Sequence, residues 1–142
     1  MTAQLWGGRF SKGLDDDAIA FSYSLYFDHV LFPYDIQVNR VHVSALGKAN
    51  VLSSDEVTQL HESLDRLASN QDHIFETIQE CGDEDVHSLV ERLVIEDIGD
   101  LGKKMHTGKS RNDQVATDVR LYVKDQIDEI IKEIQGMIQA FV

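Results

Sequence analysis

The sequence predicts an all-α protein in which a domain of several helices precedes one much longer helix. Apolar residues recur every three or four positions in most segments, which is the spacing of a helix face. Pro33 is the single proline, and it falls in the first turns of a predicted helix, where a missing N–H costs least. The last segment keeps helical spacing to its final residue. We therefore divide the chain into a helical domain, 1–111, and a long helix, 112–142.

The chain opens with an arm, residues 1–14, whose aromatic side chains Trp6 and Phe10 we expect to pack against the rest of the protein. Three acids at residues 15–17 then precede an apolar segment at residues 18–25, as acids do at the positive end of a helix dipole. We assign these acids to capping and solvent rather than to metal, because consecutive helix residues face different directions. The first helix is predicted to end near Ser24.

Further helices are predicted in the middle of the domain. The second, from Asp28 to about Ala49, has an apolar face made of Leu31, Tyr34, Val38, Val41, Ala45 and Leu46. A capping box at Ser53 and Glu56 starts the third, whose apolar stripe is Val57, Leu60, Leu64 and Leu67. Residues 70–82 suggest one or two helical turns ended by a glycine. Acids at residues 83–85 start another helix, which ends near Gly99 or Gly102 and has an apolar face of Val86, Leu89, Val90, Leu93 and Val94.

The last helix is predicted to run from Asn112 to Val142. Its apolar positions are Val115, Val119, Tyr122, Ile127, Ile130, Ile131, Ile134, Met137, Ile138 and Phe141. About thirty residues at roughly 1.5 Å each make a rod of about 45 Å, which is too long for a domain of this size to cover. Such a helix needs partners in a bundle or between subunits. We expect the sequence to be the front piece of a longer protein.

Composition limits the class of protein. The 142 residues carry a net charge of -12, and 42% of them are hydrophobic, as in a globular domain with a core. The negative charge argues against nucleic-acid binding, and no apolar run is long enough for a signal peptide or a membrane span. The single cysteine, Cys81, fits a cytoplasmic protein. The six histidines have no metal-ligand spacing, so no metal is predicted.

A cationic patch lies just before the last helix. Four of the 13 basic residues, Lys103, Lys104, Lys109 and Arg111, fall within nine positions that contain no acid. We predict that Asn112 is the N-cap of the helix and that Asp113 lies in its first turn. Free N–H groups and the positive end of the helix dipole would then point to the same place as Arg111, which is an arrangement that binds anions. The alternative is a plain connecting loop whose lysines are solvated.

Four motifs carry a resemblance to a known family. They are WGGRF at residues 6–10, FSYSLYFD at residues 21–28, DEDVHS at residues 83–88 and HTGKSRNDQVATD at residues 106–118. Their order and spacing match along all 142 residues, and the last motif is highly specific. The sequence resembles the argininosuccinate lyase family, within the fumarase and aspartase superfamily.

The resemblance implies mostly helical subunits that form homotetramers around long central helices, of which the last helix here would be the first. It also implies the reversible cleavage of argininosuccinate to arginine and fumarate, the last step of arginine biosynthesis. That reaction is a β-elimination without a cofactor. A base removes a proton next to a carboxylate, and an acid helps the guanidino nitrogen to leave.

The motifs also carry residue roles. By resemblance, Ser24 and Asn112 contact substrate, Ser110 and Arg111 grip a carboxylate, and two residues, His87 and Thr107, have supporting roles. The family's catalytic histidine and serine are expected downstream of Val142, so no catalytic residue is assigned and the isolated chain is expected to be inactive.

Two departures and two alternatives stay open. Lys109 stands where the family more often has arginine, which keeps the charge but loses the bidentate geometry. His106 has no assigned role. A catalytically inactive structural relative, such as the lens crystallins, would share the fold without the activity. A helical interaction module using the apolar end of the last helix is the other alternative.

Overall fold

The part of the chain that the computed structural model describes, residues 15–76, 78 and 82–142, is helical and contains no strand. The helices in chain order are α1 Asp16–Ser22, α2 Leu25–Asp28, α3 Phe32–Lys48, α4 Ser54–Ser69, α5 Gln71–Glu76, α6 Val86–Ile98, α7 Asp100–Lys103 and α8 Arg111–Phe141. Short 3₁₀ turns lie at His29–Leu31 and Lys104–His106. The predicted all-α class is confirmed. The predicted packing of the arm and the position of Cys81 lie outside the described residues.

The hydrophobic core lies between α3, α4 and α6. In α4, Leu60, Leu64 and Leu67 are buried and Val57 is partly buried, which confirms the predicted stripe. The predicted face of α6 is also buried, apart from the partly buried Leu93. Both helices begin where expected because their first N–H groups are capped by side chains. The Ser53 hydroxyl accepts from the Glu56 amide at 3.3 Å, and the Glu56 carboxylate accepts from the Ser53 amide at 2.8 Å.

The buried face of α3 matches the predicted one only in part, since Leu46 is buried as expected and Tyr34 and Val38 are partly buried. Val41, predicted to lie in the core, is 66% exposed, and Ala45 is exposed too. The buried residues of the helix are Phe32, Asp35, Ile36, Asn39, Val43 and Leu46. Two of them, Asp35 and Asn39, are polar and lie in the middle of the buried face. Apolar periodicity assigns polar residues to the surface. The predicted buried face therefore left out Asp35 and Asn39 and was placed too far around the helix from them.

The predicted single helix at residues 18–25 is two helices. Asp15 caps α1 as expected, with its side chain accepting from the Asp17 amide at 3.1 Å. The helix ends at Ser22, and Ser24 is the N-cap residue of α2 rather than the last residue of α1. The break has a tertiary cause. The amides of Ser24 and Leu25 both donate to the carbonyl of Glu84, at 2.8 and 3.2 Å, instead of continuing the helical ladder.

The connection from α6 to α7 depends on two glycines. Gly99 ends α6 with φ +66°, a conformation that a side chain would strain, and this confirms one of the two predicted ends. Gly102 packs directly on α6, since a Cβ there would lie 2.9 Å from the Cα and the N of Ile95. Close contact therefore fixes α7, and with it the start of the loop that leads to α8.

Helix α8 spans 31 residues, or about 46 Å, and only its first part lies against the domain. Gln114 and Asp118 are buried, and the Tyr122 ring packs edge-on against Tyr34 with 5.9 Å between centroids. From Val123 onward every residue of the helix is exposed, including a row of apolar ones ending at Phe141, which is 85% exposed. The predicted length is confirmed. No described helix is long and apolar enough to cross a membrane.

The start of α8 differs from the predicted one. Ser110 is the N-cap, with extended backbone at φ -87° and ψ 137°, and Asn112 is the second helical residue. The expected cap at Asn112 is therefore wrong by two positions. Asp113 does lie in the first turn, as predicted.

Truncation of a core leucine provides a test of this packing. Leu64→Ala should lower the free energy of unfolding by about 2–5 kcal/mol, because Leu64 is fully buried and its removal leaves a cavity. Val41→Ala, on the exposed side of α3, should change it by less than about 0.5 kcal/mol. Urea denaturation of both variants measures the difference. Equal losses would mean that the α3 face is not oriented as described.

Candidate functional site

The start of α8 gathers the residues predicted to bind an anion. Ser110 and Asn112 are exposed, and the Ser110 side chain makes no capping hydrogen bond to the helix. The first N–H groups of the helix have no helical carbonyl to bond, and the helix dipole places partial positive charge at the same end. The Ser110 hydroxyl, the Asn112 amide and these N–H groups therefore lie together at one surface.

Arg111 is anchored rather than free. One terminal nitrogen of its guanidinium donates to Glu91 of α6 at 2.8 Å, and the other donates to the side-chain oxygen of Gln114 at 3.1 Å. These two bonds use two of the five guanidinium N–H groups. The side chain is held in one orientation at the helix start, with N–H groups left over for a ligand. The pairing with Glu91 was not predicted.

The loop before α8 is fixed at several points. Gly108 adopts φ +69°, which favours glycine. The carbonyl of Thr107 lies 2.9 Å from the ring nitrogen Nε2 of His42, so Thr107 contributes its backbone while its side chain is exposed. Lys104 pairs with Glu56 at 2.5 Å. Lys109 is partly buried and donates to the side-chain oxygen of Asn39 in α3. Its ammonium is therefore a tether between α3 and the loop.

Two ionisable groups in this loop have shifted pKa values. Burial lowers the pKa of Lys109 from its ordinary range, and Arg111 acts in the same direction, while Asp35 and Asp118 oppose the shift. Burial also lowers the pKa of His106, against the nearby charge of Glu91. His106 is thus favoured as the neutral imidazole, and the positive charge of the loop comes from its lysines and Arg111.

Ser24 lies beside the start of α6, ahead of the position from which Glu91 contacts Arg111 of α8. Its hydroxyl donates to Asp28 at 2.6 Å, and the second oxygen of Asp28 accepts from the Val86 amide at 3.1 Å. The pair therefore caps the start of α6. Glu91, which holds Arg111, is five residues further along this helix, or about 7.5 Å. Among the described residues no hydrogen bond joins Ser24 to the α8 start, and α6 is the element that relates them.

A buried polar cluster beneath the α8 start was missed by the sequence reasoning. It joins α3, α6 and α8 and consists of Asp35, Asn39, His87, Gln114 and Asp118. His87 is only 3% exposed, and its Nδ1 lies 3.0 Å from Asp35 and 3.3 Å from Asp118. A signal was present in the sequence. Asp35 and Asn39 are four residues apart, as are Gln114 and Asp118, so each pair shares a helix face.

The two carboxyl groups of the cluster have unequal surroundings. Asp35 accepts from His87, from Gln114 and, at 2.9 Å, from Asn39. Neither oxygen of Asp118 has a hydrogen-bond partner that satisfies it, although the group is fully buried. An ionised carboxylate in that position would be unpaired in a low-dielectric interior, which is costly. The donors therefore assign the negative charge to Asp35.

The pKa values follow the same division. Burial raises the pKa of Asp118 to about 8, and the negative charge of Asp35 adds to the effect. Burial alone would also raise the pKa of Asp35, but hydrogen bonds from His87 and Gln114 outweigh it and the pKa lies below its usual range. Near neutral pH the pair holds one proton, on Asp118.

Three side chains of this cluster could be taken for metal ligands. Asp35, His87 and Asp118 each bring a ligand-type atom within 4.8 Å of the other two. Binding a cation would require Nδ1 of His87 to give up its bond to Asp35 and would displace Gln114 from the same oxygen. The hydrogen-bond inventory suits a proton-sharing pair better than a cation site.

The assigned proton can be tested through stability. From pH 3.8 to about 8 the folded protein keeps a proton on Asp118 that the unfolded chain releases, so this group makes the wild type less stable as pH rises. The amide introduced by Asp118→Asn cannot ionise. The stability of Asp118→Asn relative to the wild type should therefore increase from pH 5 to pH 8 and stay constant above. Urea denaturation at each pH measures it, with Asp113→Asn, exposed on the same helix, as the control. A difference that does not vary with pH would contradict the assignment.

Comparison of the sequence with known proteins identifies its family. A family model described as Lyase matches residues 8–142. Argininosuccinate lyases from Legionella pneumophila strain Philadelphia 1 and from Caldanaerobacter subterraneus are each 46% identical, over 89% and 96% of this chain. The enzyme of Thioalkalivibrio sulfidiphilus is 47% identical over 94% of it. The matches cover 31%, 30% and 28% of those relatives, so the chain spans about three tenths of their length. The chain belongs to the lyase family, as its motifs indicated.

Proposed function

We propose that this chain supplies the carboxylate-binding part of an argininosuccinate lyase, an enzyme that cleaves argininosuccinate to arginine and fumarate. The observation that carries the proposal is the identity of 46–47% to three argininosuccinate lyases over 89–96% of the chain. The aligned region includes the α8 start, where Ser110, Arg111 and Asn112 meet.

The chemistry of the reaction explains why such a site would be needed. Removing a proton next to a carboxylate gives a carbanion whose charge spreads into that carboxylate. The group must therefore be bound more tightly as its negative charge grows. Preorganised N–H donors and cations perform this task best, because they need not reorganise as the charge develops. Arg111, which is held by Glu91 and Gln114, is preorganised in this sense.

The remaining residues take secondary places in the proposal. Ser24 contacts substrate through its hydroxyl oxygen, since the hydroxyl proton is donated to Asp28. Thr107 supports the site through its backbone carbonyl, which His42 contacts. His87 supports it from below by holding Asp35. Groups that take and give protons in the elimination would lie outside residues 1–142, and no cofactor is required.

The proposal also includes assembly. We place the division between the helical domain and the bundle helix at residues 111 and 112, and we propose a homotetramer in the cytoplasm built around α8. The exposed apolar residues of α8, including Ile134 and Phe141, support a helical partner. The same surface favours a second candidate function, a helical interaction module without catalysis. The activity of a chimera with a related enzyme separates the two.

A chimera provides the decisive test. Replacing the matching segment of the Caldanaerobacter enzyme with this chain should give a protein that releases fumarate from argininosuccinate. Arg111→Ala in the chimera should lower kcat/KM by about 10²- to 10³-fold, because it removes a preorganised donor from the developing charge. Fumarate absorbance measures both.

The matched control for this variant is Glu91→Gln, which breaks the same ion pair but keeps the guanidinium. It should keep activity within about tenfold of the parent chimera. Equal losses of activity in both variants would mean that Arg111 contributes only through its ion pair with Glu91, which would then be structural. A folded chimera that lacks activity altogether would favour the interaction module.

The isolated chain should not cleave argininosuccinate. We expect no fumarate release when residues 1–142 are incubated with argininosuccinate, because the proposed acid and base are missing from them. The assay is the same as for the chimera, which serves as the positive control. Release of fumarate by the purified chain at a rate that scales with its concentration would overturn this division of roles.

A further inference from the structure

The buried Asp118 carboxyl lies on the same side of α8 as Arg111. The two residues are seven positions apart, which is two helical turns and about 10 Å along the axis. Both Arg111 and Lys109 interact electrostatically with Asp118. The charge of this buried group is therefore felt at the surface where the anion would bind.

Charged and titratable groups face Asp118 from each element packed around it. Asp35 faces it from α3 and His87 from α6. Lys109 approaches from the preceding loop, and Arg111 lies above it on its own helix. Glu91 of α6 pairs with Arg111 rather than with Asp118, and it neutralises part of the Arg111 charge. The balance of charge at the α8 start therefore depends on whether Asp118 adds a further negative charge.

The hydrogen bonds of the cluster decide that balance. Asp35 already has three donors and needs no proton of its own. Asp118 has none, so as a neutral acid it can satisfy itself by donating its proton to Asp35, a carboxylate oxygen of which lies within 4.8 Å. In this form the negative charge of Asp35 is spread over several donors, and Asp118 leaves the cations of the loop unopposed.

We infer that Asp118 is a positioning residue whose proton sets the affinity of the α8 start for carboxylate ligands, and that loss of this proton weakens their binding. The inference rests on the proposed function, since it concerns the same site. If the roughly 10 Å helical separation of Asp118 and Arg111 is taken as the distance to a carboxylate bound at Arg111, an ionised Asp118 would repel the negative charge of that ligand. At that distance an effective dielectric constant of roughly 40 corresponds to about a fourfold change in affinity.

Lys109 provides the main competing explanation. Its pKa is lowered by burial, so it too would lose positive charge as pH rises and would weaken anion binding in the same direction. Asp118→Asn and Lys109→Arg separate the two causes. The first removes the ionising carboxyl while keeping its shape, and the second keeps a positive charge at all pH values used.

The experiment is calorimetric titration of the chimera with fumarate between pH 7 and pH 9, a range in which the ligand stays a dianion. The parent chimera should bind fumarate about threefold more weakly at the upper end of this range than at the lower end, because Asp118 is about nine-tenths protonated at pH 7 and about one-tenth at pH 9. Asp118→Asn should bind equally at both ends, and Lys109→Arg should keep the dependence of the parent. An Asp118→Asn variant that keeps the full pH dependence overturns the inference, as does a Lys109→Arg variant that abolishes it.

Two further outcomes are kept distinct. If the parent chimera binds no fumarate at any pH, the proposed function fails, whatever Asp118 does. If Asp118→Asn does not fold, ¹³C NMR of the side-chain carboxyl of Asp118 in the parent chimera, with and without fumarate, decides the matter. A titration midpoint near 8 that rises when fumarate binds supports the inference, and a midpoint near the ordinary aspartate value, or one that fumarate leaves unchanged, overturns it.

Discussion

The structure depends on one buried carboxylate, that of Asp35. It is fully enclosed, and it receives hydrogen bonds from Asn39 on its own helix, from His87 on α6 and from Gln114 on α8. An ionised group costs several kcal/mol to bury unless such donors meet it, so the three helices must arrive in one arrangement. Apolar packing between α3, α4 and α6 stabilises the domain without fixing where α8 crosses. The polar contacts specify that crossing, and with it the orientation of the α8 start.

Local rules predicted much of this fold. The capping box at Ser53, the leucine stripe of α4 and the glycine end of α6 depend only on neighbouring residues, so the sequence contained all the information needed. The break between α1 and α2 did not follow, because it is caused by the Glu84 carbonyl some sixty positions away. The predicted face of α3 was also wrong in part, because it included the exposed Val41 and Ala45 and omitted the buried Asp35 and Asn39. A polar pair in a core looks like a surface pair until its partners on other helices are known.

The candidate site divides in the same way. The site role of Arg111 was predicted from helix-end electrostatics and those of Ser110 and Asn112 from the family resemblance, and all three residues lie at the start of α8. The partners of Arg111 were not predictable. Glu91 lies in a different helix, and only the packing of α8 against α6 brings it within 2.8 Å. Lys109 stands where the family pattern favours arginine. Its bond to Asn39 on α3, which the sequence could not predict, gives this lysine a structural role.

The distal half of α8 has a thermodynamic consequence of its own. From Val123 onward each of its residues is exposed. Tertiary packing therefore offsets little of the conformational entropy lost by keeping nineteen residues helical. Intrinsic propensity and the continuity with the anchored first turns must maintain it, whereas most helices in proteins owe their stability mainly to tertiary packing of an apolar face. Amide exchange should therefore be fast there and slow around Gln114. A partner that covers this surface would order the segment as it binds, which couples assembly to the folding of the helix on which the site is built.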